Sequence, residues 1–182
     1  MSARPDFAFH RPQELSDLLR LLARLGDGAR LIAGGTDLVP QLRAGKLAPA
    51  HLISVNGVAS LATMAEGGDG SMHIGAGVRI ADVGAHAAVQ ERWPGLAHAC
   101  SVMATTQVRH MGTLAGNLCN GSPCADTSAP LLAADAVLHL ASDSARRSLP
   151  LWDFHRGAKA VDLAPGELVV GLELPPPPPR SG

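Results

Sequence analysis

The chain has 182 residues, 46% of them hydrophobic and 17% charged, with a formal net charge of −1. That composition excludes a disordered segment, and without a Lys/Arg cluster it argues against a nucleic-acid surface. No run of about 18 apolar residues is present to span a bilayer, and "MSARPDFAFHRP" lacks the apolar core of a signal peptide.

Three cysteines, Cys100, Cys119 and Cys124, are too few for a secreted disulfide framework, so the expected compartment is the cytoplasm. No metal site is expected, because two neighbouring thiols without nearby histidines cannot complete a tetrahedral set.

In chain order, Leu15, Leu18, Leu19, Leu22 and Leu25 recur at helical spacing, with Pro12 suited to a first turn and Gly26 to a C-terminal stop. "ARLIA" (29–33) predicts a strand, 37–43 a short helix and "HLISV" (51–55) another strand, together a small βαβ-type lobe. Between them "LIAGGTDLVP" (31–40) breaks an apolar run with two glycines. Glycine reaches φ > 0 cheaply and lets the backbone approach something bulky or charged. The stretch reads either as an ordinary strand–turn–helix corner or as a phosphate-holding turn.

The Gly-rich stretch 62–71 predicts a lobe boundary or a hairpin tip, and "SMHIGAG" a strand running into a turn. "GAGVRI" (75–80) is a weak imitation of a dinucleotide fingerprint. Ile80 stands where a small residue must sit, and the acidic residue expected about 20 positions on is missing. Helices are predicted over 78–91, 95–108 and 127–134, and strands at "AVLHLAS", "RSLPLW" and "ELVVGLEL". The fold class is therefore α+β in two lobes: 1–57, then 58–175 with a mixed or antiparallel sheet and helices. Residues 176–182 form a Pro-rich tail.

Residues 109–126, "RHMGTLAGNLCNGSPCAD", read as a loop concentrating glycines, hydroxyls, amides and a carboxylate. Such a set suits a polyhydroxylated, phosphorylated ligand, and it equally suits a turn-rich surface loop. "AGGTDLVP", then "QVRHMGTLAGNLCNGSPCAD", "APLLAADAVLHL" and the closing "ELVVGLELP" resemble, in that order, the FAD-binding domain of the molybdopterin dehydrogenases. This is the flavin-carrying medium subunit of xanthine dehydrogenase and carbon monoxide dehydrogenase types.

The resemblance implies FAD in a cleft between the two lobes. It places Ala33, Gly34, Gly35, Thr36 and Asp37 around the pyrophosphate, flanked by Leu31, Ile32 and Leu38. On this reading the missing Cβ atoms let backbone N–H groups reach phosphate oxygens. Thr113, Gly116 and Asn117 match the second family loop, with Ala115 where the family commonly has a further glycine. Asp126 matches its flavin-contacting aspartate, Ala104 and Val169 match packing positions, and Arg109 stands where the family usually has a basic residue, in a cofactor or a structural role.

No residue is assigned as catalytic, since the redox chemistry is the cofactor's. The implied partners are a molybdenum-cofactor large subunit and a [2Fe–2S] small subunit that delivers electrons for an external acceptor. Family members continue into a further C-terminal domain where this chain stops in prolines. That predicts a fragment, a shortened paralogue or a subunit with a more exposed flavin. The alternative is a non-catalytic assembly module that keeps the fold without FAD.

Overall fold

The structure, a computed structural model, describes residues 6–178. Residues 1–5 and the end of the expected Pro-rich tail, 179–182, lie outside the described residues.

The chain opens with strand β1 (Ala8–His10) and helix α1 (Leu15–Leu25), which buries Leu18, Leu19 and Leu22. Gly26 ends α1 at φ +51°, a conformation that costs a residue with a Cβ. The helix starts three residues beyond the expected Pro12, because Glu14 is extended and the Pro12 carbonyl packs against Gly57. Strand β2 (Ala29–Ile32), helix α2 (Leu38–Arg43) and strand β3 (His51–Ser54) complete a parallel sheet of order β1-β3-β2. β1 was not expected from the sequence. Its three residues carry no alternation, and it exists through its pairing with β3.

Strands β4 (Met64–Glu66) and β5 (Met72–Gly75) form an antiparallel hairpin, so the Gly-rich stretch is a hairpin tip. Helices α3 (Ile80–Ala85), α4 (Ala87–Arg92), α5 (Pro94–Val102), α6 (Thr106–Met111), α7 (Leu114–Cys119) and α8 (Ser128–Ala133) follow. Next come β6 (Val137–Ala141), β7 (Arg146–Pro150), α9 (Leu151–Phe154), the small pair β8 (His155–Gly157) and β9 (Ala160–Val161), and the long strand β10 (Leu168–Leu174). The larger sheet is antiparallel in the order β4-β5-β10-β6-β7, which makes the whole fold α+β.

Two expected helices divide. The one over 78–91 breaks at His86, which is extended, and the bend lets α3 and α4 both pack on α5. The one over 95–108 breaks at Ala104, in the left-handed region at φ +47°, before Thr105 caps α6. Part of the expected loop 109–126 is helical, as α6 and α7. The strand expected at "RSLPLW" ends at Pro150, leaving Leu151 and Trp152 to α9.

Apolar side chains of both sheets merge into one core. Leu18, Leu19 and Ile53 on one side join Ile74, Leu138 and Leu172 on the other.

A cofactor-sized cleft between the two sheets

A cleft of about 490 Å³ opens where the turn after β2 faces α6, α7 and β10. That volume is in the range of small-molecule and cofactor sites. Its walls include Leu31 to Leu38, Ala104, Thr113, Gly116, Asn117, Asp126 and Val169, all expected there from the resemblance. Arg109 is not among them. Its guanidinium donates to the carbonyls of Met103 (2.8 Å) and Ala104 (3.3 Å), pinning the turn between α5 and α6.

The first wall is the turn that joins β2 to α2. Gly35 adopts φ +69° and accepts the Val39 N–H at 2.9 Å, which starts the helix. A Cβ on Gly34 would lie 2.0 Å from the Met111 carbonyl oxygen, and one on Gly35 3.1 Å from the Val39 side chain. Both missing Cβ atoms therefore point at protein, which corrects the expectation that they clear space for phosphate. Gly34 admits the end of α6, and Gly35 supplies the turn's backbone angle.

What the turn offers the cleft is its amides. Among the described residues, the N–H groups of Gly34, Gly35, Thr36 and Asp37 find no acceptor, and the Thr36 hydroxyl has no partner.

The second wall begins at Gly112, whose carbonyl accepts the Ile80 N–H at 3.0 Å while Leu114 N–H reaches Val78 at 3.2 Å. These bonds fix the buried Thr113, whose hydroxyl accepts the Gly116 N–H at 3.1 Å and caps α7. Asn117 accepts the Thr127 hydroxyl at 2.6 Å, tying α7 to the head of α8. Asp126 is exposed and makes no cap, since Thr127 occupies the N-cap of α8 without a side-chain bond.

Apolar residues close the cleft around Leu31, Ile32, Val55, Ile80, Met103, Leu168 and the buried Val169. Burial pushes the Cys119 thiol up to about 12, so this wall residue stays neutral. Among the described lining residues there is no lysine or arginine. Ligand phosphates would meet backbone dipoles there, not side-chain cations.

The sequence reading left Asn120, Ser122, Leu163, Glu167 and Leu168 out of the lining set. Asn120 and Ser122 stood inside the quoted second motif. Glu167 and Leu168 open the quoted "ELVVGLELP", whereas Leu163 carried no motif and reaches the cleft through tertiary packing.

The family model described as "FAD binding domain in molybdopterin dehydrogenase" matches residues 5–177. The chain belongs to this family. As a molybdopterin dehydrogenase FAD-binding domain, it is similar to the xanthine dehydrogenase FAD-binding subunit of Escherichia coli O157:H7. The two are 35% identical over 174 residues, 95% of this chain and 59% of that protein. Carbon monoxide dehydrogenase from Hydrogenophaga pseudoflava matches in structure with a TM-score of 0.91 and 33% identity, over 95% of this chain and 60% of that one. Quinoline 2-oxidoreductase from Pseudomonas putida 86 gives a TM-score of 0.90 at 29% identity, covering 96% and 60%.

The chain thus spans about three fifths of the relatives it matches. The cofactor of the family is FAD, and the cleft suits it. Free amides and a hydroxyl line one wall, apolar side chains suit a flat ring system, and carboxylate and amide tips suit sugar hydroxyls. No helix among the described residues is long and apolar enough to cross a membrane.

Proposed function

We propose that the domain holds FAD in the cleft between lobes 1–57 and 58–175 and serves as the flavin component of a molybdenum hydroxylase. In that role it takes electrons from a [2Fe–2S] partner and passes them to an external acceptor in the cytoplasm. The observation that carries the reading is the run of acceptor-free amides from Gly34 to Asp37, on residues that line one cleft together with Thr113, Asn117 and Asp126.

Bound FAD supplies uptake of an electron pair with its return singly or together. This chain's residues do the holding. The Gly34–Asp37 amides and the Thr36 hydroxyl receive the pyrophosphate. Asp126 and Asn117 accept or donate to hydroxyls of the sugar chain. Ala104, Val169 and Leu168 exclude water from the ring.

Among the described residues no group of histidines, cysteines or carboxylates is arranged to hold a metal ion. Affinity capture from the native cell should recover a molybdenum-cofactor subunit and a [2Fe–2S] subunit, and the purified chain alone should hydroxylate no purine, aldehyde or carbon monoxide. Hydroxylation by the single chain would overturn the electron-transfer assignment.

A further inference from the structure

A polar chain runs along one wall of the cleft and ends outside it. Asn120 at the C-terminus of α7 donates from Nδ2 to Asp37 Oδ1 at 3.0 Å. Its Oδ1 accepts from Lys159 Nζ at 2.9 Å. The amide's orientation follows from chemistry: an ammonium can only donate and a carboxylate can only accept, so Oδ1 must face Lys159 and Nδ2 must face Asp37. Among the described residues, Asn120–Asp37 is the one hydrogen bond between side chains of 6–57 and 58–178.

Lys159 is held for this position. It sits in the left-handed region at φ +60°, uncommon for a residue with a Cβ, and its N–H donates to the Gly121 carbonyl at 2.7 Å. Gly121 permits the contact, since a Cβ there would lie 3.2 Å from the Lys159 Cα. Asp37 occupies the N-cap position of α2 yet makes no cap bond, so its carboxylate is committed to Asn120 through one oxygen. Its other oxygen has no hydrogen-bond partner among the described residues. Asp37 and Asn120 line the cleft, and Lys159 does not.

We propose that Lys159 is a positioning residue which, by fixing the Asn120 amide, holds the Asp37 carboxylate as a hydrogen-bond acceptor for a hydroxyl of the bound cofactor. This rests on the FAD reading.

The test is FAD titration of the purified chain, followed by flavin fluorescence, in a double-mutant cycle. Lys159→Met should raise the Kd roughly two- to fivefold, the range of an exposed charged contact, with the melting temperature of the FAD-free protein unchanged. Lys159→Arg should restore most of the affinity. In an Asn120→Ala background Lys159→Met should cause no further loss. A wild-type Kd in Lys159→Met overturns the proposal. So does an undiminished loss in the Asn120→Ala background, which would mean that Lys159 attracts the anionic cofactor directly. A wild-type chain that binds no FAD overturns the cofactor reading itself, and the role of Lys159 with it.

Discussion

The Met111 carbonyl stands where a Cβ on Gly34 would sit, and Gly35 holds φ +69° with the Val39 and Ile32 side chains 3.1 and 3.2 Å from where its Cβ would be. Two adjacent glycines are therefore required by the fold before any ligand arrives, so their presence does not by itself separate a flavin domain from a scaffold. Gly34→Ala should cost about 1–3 kcal/mol of stability through overpacking. Gly35→Ala should cost about 1–2 kcal/mol through its backbone angle. Denaturant unfolding of the FAD-free protein measures both, and unchanged midpoints would refute the structural role.

Asp126 behaves in the opposite way. It caps no helix and has no hydrogen-bond partner among the described residues, so Asp126→Ala should leave the FAD-free melting temperature in place. FAD binding should weaken by about 1.5–3 kcal/mol, the worth of a hydrogen bond to a charged group. A fall in stability with unchanged affinity would return Asp126 to a purely structural role.

At the scale of elements, the turn that carries Leu163 and Leu168 into the cleft is braced by one arginine on β7. Arg147 donates to Glu167 at 2.8 and 2.7 Å and to Asp162 Oδ2 at 3.0 Å, while Glu167 also accepts the Ala164 N–H at 2.8 Å. The hydrogen bonds from Arg147 hold both carboxyls below their usual range. Their folded forms release protons more readily than their unfolded forms. The brace is accordingly complete above the ordinary carboxylate pKa of about 4 and fades as pH falls through and below it. Arg147→Met should lower the melting temperature near neutrality, and the gap to wild type should close at acid pH. A gap independent of pH would contradict this account.

Much of this layer was legible in the sequence. The leucine spacing of α1 and the apolar runs of β2, β3, β5, β6 and β10 carry their period locally. The breaks at His86 and Ala104 do not, because each serves packing against a distant helix or the seating of Arg109. Strands β1, β4, β8 and β9 are two or three residues long and depend on their partners. For the cleft, the motif residues among its lining were legible and Leu163 was not, since it reaches the cleft only once β7 and β10 are in place.

Across the whole molecule, one continuous core underlies both sheets, and the cleft lies between the turn after β2 and the helices that follow the hairpin. A ligand held by both walls stabilises the folded state by mass action, about 2.7 kcal/mol at a free concentration one hundred times its Kd. FAD should therefore raise the melting temperature with the logarithm of its free concentration above Kd, and the electron partners should be dispensable for that effect. The most direct test is calorimetric titration of the purified chain with FAD. Saturable binding of one FAD per chain, with flavin absorbance retained through gel filtration, is the expected result; a folded chain that takes up no FAD would contradict the assignment of the cleft.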